Sequence, residues 1–344
     1  MSKKLSTQVK AKIKKPSVNK SEYDGDIGAV ISTGSTLLDL AISGGRVRGG
    51  GIPGGILVEV FGPSASGKTV LLCEIAGAVQ RQDGDIMFHD PEARLNQQFA
   101  RIFDLDTTDI DYTTPDTIPE VFSGVRKWEP KGKGIHGVFA DSLAALSTDM
   151  EMDEKKGDKM GMRRPKEFSE ETRKTCRVIA KKNLLMVCSN QIRDNIDGGP
   201  YAPKHKTPGG VALGFYSSLR LQASNPVKIK REVTVAGKKV ERVIGVTTSF
   251  SVFKSSIWKP YRTAPLTIIF DYGIDNTRDC LQFIKAYTNN TTYMVGKTKL
   301  DISMDKSITM VEEAGMEGEL KEEVIDLWEL IESKFKEERK TKIR

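Results

Sequence analysis

The stretch "GPSASGKT" (62–69) follows the apolar run "ILVEVF" (56–61) and precedes "VLLCEIAGAV" (70–79). It fits the pattern G-x-x-x-x-G-K-[ST] at every fixed position. Glycines at these positions let successive backbone N–H groups turn inward around a phosphate, and the following helix directs the positive end of its dipole at the same charge. A surface turn can match by chance, but the strand before the loop and the helix after it favour a phosphate pocket.

Two side chains of this loop have distinct roles in such a pocket. Lys68 is expected to reach the outer phosphates, and the Thr69 hydroxyl is expected to ligate Mg²⁺. The residues predicted to bind the nucleotide are Gly62, Pro63, Ser64, Ala65, Ser66, Gly67, Lys68, Thr69 and Val70.

The composition is that of an ordinary globular protein with a basic excess. The 344 residues include 38% hydrophobic and 29% charged residues, and the formal net charge is +7. The four cysteines lie far apart without a CxxC pair, and no apolar run approaches the ~18 residues that a membrane helix needs. We therefore expect a cytoplasmic protein with no disulfide framework, no zinc ribbon and no membrane partner.

Positive charge is concentrated at the two ends of the chain. Residues 1–21 hold seven lysines and no acid, and residues 334–344 hold six basic and two acidic groups. Two solvated tails are one interpretation, but basic ends on a nucleotide-binding protein also favour a polyanionic partner. Near the N-terminus, Leu5, Val9 and Ile13 recur every fourth residue, which predicts a narrow apolar helical stripe that either docks on another surface or stays disordered.

Strand and helix patterns alternate from about residue 31 to residue 270. Short apolar segments separated by helix-length stretches are typical of a buried parallel sheet; they lie at 56–61, 85–89, 136–140 and 184–188. Further strand candidates at 218–222 and 266–270 lie on either side of an antiparallel hairpin centred on "AGKK" (236–239), and helix patterns follow at 277–288 and 318–339.

These patterns predict an α/β protein built on a P-loop core with a mainly parallel central sheet. We assign the core to residues 32–270. A short N-terminal helical segment, residues 1–31, precedes it, and we expect this segment to serve oligomerisation. A small α/β C-terminal domain, residues 271–344, follows it and ends in the basic tail.

Polar residues follow three of the predicted parallel strands. Asp141 follows 136–140, Asp90 and Glu92 follow 85–89, and Asn190 and Gln191 follow 184–188. Ligands of open α/β sheets bind beyond the carboxyl ends of the strands. A lone aspartate after a strand is more often a helix cap or a loop residue. Strand ends that together carry a lysine, two carboxylates and an amide favour a site.

The chemistry of these groups suggests a division of labour. Asp141 is placed to hold the Mg²⁺ shell, and Glu92 is our choice for orienting the attacking water. The amide of Gln191 can bond a γ-phosphate and lose that bond on hydrolysis. It would then report the nucleotide state to the glycine- and proline-rich loop 194–210.

Six segments, in order, resemble the signature segments of bacterial RecA-type recombinases. The similarity runs from about Ile31 to Asn276 with matching spacing. The segments are "ISTGSTLLDLAISGG" (31–45), "GPSASGKT" (62–69), "DPEARL" (90–95), "FADSLAAL" (139–146), "SNQIR" (189–193) and "TPGGVALGFYSSLRL" (207–221).

The resemblance implies a RecA-like core and a DNA-dependent ATPase that uses ATP and Mg²⁺. It implies a homo-oligomer, a helical filament on single-stranded DNA, which pairs that strand with homologous double-stranded DNA in recombination and repair. Single-strand-binding and loading proteins are further partners that fit this family.

The resemblance also implies residue roles by position. Glu92 matches the catalytic glutamate, Asp141 the Walker B aspartate and Gln191 the γ-phosphate sensor, while Asn96 and Phe99 match residues at the edge and face of adenine. The implied catalytic set is Glu92, Lys68, Gln191 and Lys254, and the implied metal ligands are Thr69 and Asp141.

Two segments match the DNA-binding loops of the family, 148–165 and 192–210. Met side chains beside Arg163 and Arg164 suit wedging between bases, and Tyr201 among lysines suits base stacking. Without the ATPase context, a mobile surface loop with ordinary charge fits them equally well. The implied DNA contacts are Met160, Arg163, Arg164, Arg173, Arg193, Tyr201, Lys204, Lys206, Gly209 and Gly210.

The sequence departs from the family's pattern at two places. The family supplies two lysines from the neighbouring protomer in a K-x-K pattern; Lys254 matches the first, but Ser256 stands at the second, and Lys259 lies three residues on. The chain ends in "EERKTKIR" (337–344) in place of an acidic tail. We expect either compensation by Lys259 or a weaker trans contact, no tail autoinhibition, and a compact member of the kind that a phage could encode.

A hexameric helicase or another ring ATPase on the same core is the alternative. It predicts an arginine finger and an N-terminal ring-forming domain, whereas only about thirty residues precede the core. The guanine-reading pattern Asn-Lys-x-Asp is absent from the sequence, which opposes a GTPase.

Overall fold

The computed structural model describes residues 27–148, 163–194, 205–206 and 210–339. The N-terminal segment predicted to be helical, with its stripe at Leu5, Val9 and Ile13, lies almost wholly outside the described residues. The helices are α1 Thr36–Ser43, α2 Lys68–Gln80, α3 Gln97–Arg101, α4 Ile118–Lys127, α5 Arg163–Lys181, α6 Gly210–Tyr216, α7 Asn276–Tyr287, α8 Met304–Glu313 and α9 Glu317–Lys334. The strands are β1 Val30–Ile31, β2 Ile52–Pro53, β3 Ile56–Gly62, β4 Ile86–His89, β5 Asp111–Thr113, β6 Gly137–Ala140, β7 Leu185–Gln191, β8 Arg193–Asp194, β9 His205–Lys206, β10 Leu219–Ala223, β11 Val227–Val235, β12 Lys238–Ser255, β13 Thr263–Ile269, β14 Gly273–Ile274, β15 Met294–Val295 and β16 Thr298–Lys299.

The central sheet contains ten strands. Their order is β14-β13-β12-β10-β3-β7-β6-β4-β5, and β11 pairs with the outer half of β12. The six strands from β10 to β5 are parallel to one another, whereas β11 to β14 are antiparallel to their neighbours. This order confirms the predicted α/β fold with a mainly parallel central sheet.

Helices cover both faces of the parallel strands. Leu57 and Val58 are adjacent in β3, yet Val58 packs with apolar residues of α1 and α2, and Leu57 packs with those of α4 and α5. Successive side chains of a strand point to opposite faces. Both positions must therefore be apolar, which explains why the strands read as continuous hydrophobic runs.

Two strands in the parallel part of the central sheet differ from the sequence prediction. β7 was predicted to end at Cys188 but continues to Gln191, because its polar end pairs in register with the end of β3, placing Gln191 opposite Gly62. β5 was not predicted. Its three residues are exposed and contain no apolar run, and it exists because it pairs with β4 at the edge of the sheet.

β11 and β12 form the predicted hairpin. A two-residue turn, Ala236–Gly237, connects them, and both residues have positive φ (49° and 75°), as this tight turn requires. β12 is 18 residues long, so it extends from the exposed hairpin into the core. Register shifts against β11 and β10 leave bulges in β12 at Ile244 and Phe253.

The C-terminal part packs on the core through α9. The indoles of Trp258 and Trp328 lie 5.5 Å apart, and Arg262 donates two hydrogen bonds to Glu332, one of them from Nε at 2.9 Å. α7 and α9 match the predicted helix patterns, whereas α8 was not predicted. β14 pairs with β13, so the sheet crosses the boundary placed at residue 270, and the domain division stays a prediction.

The longest helices carry many charged residues. α5 contains 19 residues and α9 contains 18, and both display acidic and basic side chains along their length. In the part of the chain that the structure describes, no helix is long and apolar enough to cross a membrane.

Candidate nucleotide-binding site

The phosphate-binding loop connects β3 to α2. Gly67 is the N-cap of α2 and has a φ of 85°, a left-handed conformation that glycine adopts at low cost. Inside the loop, the Ser66 hydroxyl donates to the Pro63 carbonyl at 2.8 Å. The strand–loop–helix arrangement that the motif predicted is therefore formed, with the helix N-terminus at the loop.

Lys68 folds back onto this loop. Its Nζ donates to the carbonyls of Pro63 at 2.6 Å and Gly62 at 3.2 Å. Burial lowers the pKa of Lys68, and the nearby charges of Asp141 and Glu92 oppose that shift. A cation that is hydrogen-bonded to neutral carbonyls can exchange them for anionic oxygens, which bind it more strongly.

Asp141 directly follows β6, where the sequence predicted a metal-holding carboxylate. Ser189 of β7 donates a hydrogen bond to its Oδ1, and the Thr69 hydroxyl bonds the same carboxylate. Burial raises the pKa of Asp141, and the charges of Glu92 and Asp90 raise it further. The two predicted metal ligands are thus brought into contact.

Glu92 lies in the loop after β4. Its Oε1 accepts a hydrogen bond from the Ser142 hydroxyl at 2.7 Å, and its Oε2 lies 2.6 Å from the Arg94 guanidinium. Ser142 directly follows Asp141 in the chain. Two consecutive residues after β6 therefore connect the site: Asp141 contacts Thr69, and Ser142 contacts Glu92. The sequence did not predict Ser142 or Ser189 as partners.

The oxygen donors at this edge fit Mg²⁺. The Thr69 hydroxyl and the Asp141 carboxylate are hard ligands, and Mg²⁺ is usually held by one or two protein oxygens together with substrate phosphates. Among the described residues, no group of three His, Cys, Asp or Glu side chains forms a metal site by itself. The donor set therefore suits a metal that binds together with phosphates.

Gln191 ends β7 beside the start of the phosphate-binding loop. It pairs with Gly62 in the parallel ladder, and its backbone N–H donates to the Asn190 side chain at 3.0 Å. Asn190 is buried, and its Nδ2 donates to the Glu59 carboxylate at 3.0 Å. The residue before the predicted sensor is therefore tied to β3.

Glu59 is the centre of a buried network that the sequence reading missed. It is fully buried in β3 and accepts a hydrogen bond from Arg220 Nε of β10 at 2.6 Å. The Arg220 guanidinium also lies over the Phe61 ring, 4.5 Å from its centroid. One signal was present in the sequence: Glu59 is the single charged residue in "ILVEVF", a strand buried on both faces.

The two residues predicted at adenine lie at the start of α3. Asn96 is the N-cap, and its side chain accepts a hydrogen bond from the Phe99 N–H at 2.9 Å. The half-buried Phe99 ring packs edge-on against Phe103, with centroids 4.9 Å apart. Both residues are thus near each other, after the loop that carries Glu92, and their contact with adenine stays a prediction.

Lys254 lies on the antiparallel side of the sheet, opposite Arg220 in the β10–β12 pair. Its Nζ donates to the carbonyls of Gly214 and Phe215 at the end of α6, at 2.9 and 2.8 Å. Burial lowers the pKa of Lys254, and the charge of Arg220 lowers it further. Its predicted contact with a neighbouring protomer's nucleotide stays a prediction.

Ser256 stands where the family has a second lysine, and Lys259 lies three residues further on; the structure gives the contacts of both. Ser256 donates its hydroxyl to the Ser218 carbonyl at 3.2 Å. The exposed Lys259 has its Nζ 5.7 Å from the Trp258 ring centroid.

The first predicted DNA-binding loop is shorter than the sequence indicated. It was drawn to residue 165, but α5 already begins at Arg163, so Arg163 and Arg164 stand in the first helical turn. Pro165 does not prevent this, because a helix tolerates proline in its first turn. Arg173 is exposed on the same helix, and Met160 lies outside the described residues.

The second predicted loop, 192–210, contains short regular elements. Arg193 in β8 pairs with Lys206 in β9, and Gly210 begins α6. These positions therefore differ from an irregular loop, because backbone pairing and the helix start give them defined conformations. The remaining predicted contacts, Tyr201, Lys204 and Gly209, lie outside the described residues.

Comparison with known proteins identifies close matches to one family. The family model of the RecA N-terminal domain matches residues 4–275. The chain is 33% identical to the protein RecA of Thermus thermophilus over 260 residues, covering 75% of this chain and 72% of that one. It is 30% identical to the protein RecA of Borrelia hermsii over 295 residues, covering 84% and 79%.

A solved structure shares the fold. The crystal structure of the RadB recombinase superposes with a TM-score of 0.50 at 18% identity, covering 71% of this chain and 98% of that chain. At this level of identity the likeness concerns the fold alone.

Proposed function

This chain belongs to the RecA family, and from that premise we propose that it is a DNA-dependent ATPase that forms helical filaments on single-stranded DNA. In this proposal the filament pairs the bound strand with homologous double-stranded DNA and exchanges strands. ATP is the nucleotide, and Mg²⁺ accompanies it.

The observation that carries the proposal is the meeting of three catalytic elements at one edge of the sheet. The phosphate-binding loop, the Thr69–Asp141 pair and the Glu92 carboxylate come from the ends of β3, β6 and β4. Parallel strands place these ends together, at the edge where α/β proteins bind ligands. The arrangement supports hydrolysis of a nucleoside triphosphate over phosphate binding alone, because a carboxylate is held beside the loop.

Each residue has a task that follows from its present contacts. Lys68 exchanges the Gly62 and Pro63 carbonyls for phosphate oxygens, and Thr69 with Asp141 holds the metal. Bound Mg²⁺ would neutralise the charge that develops on the phosphates. Glu92 accepts a hydrogen bond from the attacking water and orients it, while Ser142 fixes the position of the carboxylate.

We propose that Gln191 connects the nucleotide to the second predicted DNA-binding loop, residues 192–210. It lies level with Gly62, and β8 begins two residues later at Arg193. A bond between its amide and the γ-phosphate would bias the conformation of residues 192–210, which carry the predicted contacts Tyr201 and Lys204. A hundredfold change in DNA affinity needs about 2.7 kcal/mol of coupling, which a few hydrogen bonds can supply.

The test is ATP hydrolysis with and without single-stranded DNA, with the products viewed by electron microscopy. We expect DNA-stimulated hydrolysis and helical filaments. Closed six-membered rings that move along DNA would favour the alternative of a helicase-type ring ATPase, and hydrolysis indifferent to DNA would contradict both. Anisotropy of a labelled oligonucleotide then compares a non-hydrolysable ATP analogue with ADP at fixed salt, where Gln191→Ala should lose the difference.

A further inference from the structure

The edge strand β5 holds the loop that carries Glu92. All three of its residues are exposed, yet each side chain bonds inward. Asp111 accepts a hydrogen bond from Trp128 Nε1 at 2.6 Å, Thr113 bonds His89 Nδ1 at 2.6 Å, and Tyr112 bonds Asp90 at 3.0 Å. These three hydrogen bonds attach β5 to the neighbouring residues, including Asp90 at the start of the loop that carries Glu92.

What lies next to β5 is the closed loop 90–95. Asp90 is 2% exposed, and its Oδ2 accepts the Leu95 N–H at 2.7 Å, which joins the two ends of the loop. The Ala93 N–H bonds the Asp90 carbonyl at 3.0 Å, and Ala93 has a φ of 51°. Glu92 is therefore at the tip of a tight turn whose shape depends on the Asp90 carboxylate.

Tyr112 is the donor that ties this carboxylate to the sheet from outside the loop. Its hydroxyl bonds the same Oδ2 that closes the loop, while the Asp90 N–H bonds the Thr113 carbonyl at 2.8 Å. Arg94 contacts Glu92 from within the loop, so it cannot fix the loop relative to the sheet. Ser142 and the Tyr112–Asp90 pair can do so, from two sides.

We propose that Tyr112 is a positioning residue for ATP hydrolysis: through Asp90, its hydroxyl holds the loop that presents the Glu92 carboxylate to water. This rests on the proposed function. Misplacement of a reacting group by about 1 Å can cost about 100-fold in rate. The Tyr112 hydroxyl restrains the loop from one side, and Ser142 still restrains it from the other. Loss of the hydroxyl should therefore lower the rate by less than this factor.

The state of the Tyr112 hydroxyl agrees with this role. Burial, together with the bond to Asp90 and its negative charge, raises the pKa of Tyr112 to about 12. The hydroxyl therefore stays protonated, and able to donate to Asp90, at neutral pH.

The test is Tyr112→Phe, which removes one hydroxyl and keeps the ring. We expect kcat of DNA-stimulated hydrolysis to fall about tenfold, with ATP affinity unchanged within about twofold, because the loop positions water and does not bind phosphate. Hydrogen exchange of the 90–95 amides should accelerate about tenfold. Tyr287→Phe, an exposed tyrosine on α7, is the matched control and should change neither quantity.

A double-mutant cycle separates positioning from a general structural role. On a Glu92→Gln background, Tyr112→Phe should leave the residual turnover unchanged, since the group that it positions is gone. A full tenfold loss on that background would overturn the proposal, as would unchanged kcat and unchanged exchange in the single variant. A wild-type protein that hydrolyses no ATP would instead overturn the proposed function, and the exchange measurement would still decide whether Tyr112 holds the loop.

Discussion

The nucleotide edge and the β11–β12 hairpin are both rich in charge, but they hold it in opposite ways. At the nucleotide edge, Asp141 accepts a hydrogen bond from the Ser189 hydroxyl in β7, and Glu92 accepts one from the Ser142 hydroxyl after β6. On the hairpin, Lys239 pairs with Glu232 at 2.8 Å across two exposed strands, with side chains 75% and 52% exposed. The first kind of charge is fixed and partly dehydrated, and the second stays in water.

The difference teaches where charge can perform chemistry. Electrostatic interactions strengthen as the surroundings become less polar, and fixed partners remove the cost of reorganisation when a ligand arrives. Exposed pairs gain little, because water and salt screen them. Equivalent substitutions in the two regions should therefore have unequal effects, and the predictions run from the largest to the smallest.

Glu92→Gln should have the largest effect on turnover. The amide keeps the size of the side chain but cannot accept a proton or orient water as the carboxylate does, so kcat should fall about 100-fold or more. ATP binding, measured by fluorescence titration, should change little. Glu232→Gln on the hairpin is the same substitution at an exposed pair, and near-equal rates in the two variants at saturating DNA would remove Glu92 from the role.

Glu59→Ala should cost the most stability. It leaves the partly buried Arg220 guanidinium, 16% exposed, without its carboxylate and removes the acceptor of one Asn190 hydrogen bond. Breaking such an ion pair on a fully buried carboxylate typically costs about 3–5 kcal/mol. Urea denaturation of the variant and wild type measures the difference. A loss no greater than that of a hairpin pair would show that Arg220 finds other partners, such as the faces of Phe61 and Phe253.

Asp39 is a buried carboxylate that lies outside both regions, so it tests the effect of burial on a charge without the effect of the nucleotide site. Burial raises its pKa from the ordinary 3.8 to about 6, against hydrogen bonds from Ser32 and Thr33. The folded protein therefore binds the proton of the Asp39 carboxyl more tightly than the unfolded chain does. This binding contributes stability that is complete below pH 3.8 and is lost as the pH rises through about 6.

Asp39→Asn should abolish this dependence. Relative to the variant, the wild type should lose roughly 3 kcal/mol of unfolding free energy between about pH 4 and pH 7, since each pKa unit corresponds to about 1.4 kcal/mol. Urea denaturation at several pH values measures it. Asp104→Asn, whose side chain is 81% exposed, should show no such trend, and parallel curves for Asp39→Asn and wild type would contradict the prediction.

The hairpin pair should show the smallest effect. Lys239→Gln and Glu232→Gln, alone or together, should leave the urea midpoint within experimental error of the wild type at both low and high salt. A large, salt-resistant coupling between the two would mean that the hairpin is less hydrated than its exposure indicates, and the contrast with the nucleotide edge would weaken.

The sequence predicted the parallel core because its strands must be apolar on both faces. It predicted less where polar residues form a strand. β7 continues through Ser189 to Gln191 because β3 pairs with it, and β5 exists through its pairing with β4. Neither pairing can be read from a local pattern, since it depends on the order of strands in the sheet.

The candidate site shows the same division. The spacing of the phosphate loop and the strand-end rule located Lys68, Glu92 and Asp141, which the fold brings to one edge. The hydroxyl partners could not be predicted, because Ser142 bonds a residue 50 positions away and Ser189 one 48 away. Such contacts follow from strand order.

β12 connects the exposed hairpin to Lys254 through one long strand. It is 18 residues long, and at ~3.3 Å per residue it spans about 60 Å from the hairpin turn to Ser255, one residue past Lys254. A pull along its axis loads the ladders with β13 and β10 in shear, so many hydrogen bonds resist together. The bulge at Ile244 bends the strand where the ladder with β11 shifts register. β12 therefore links the exposed hairpin tip to Lys254 along a single strand.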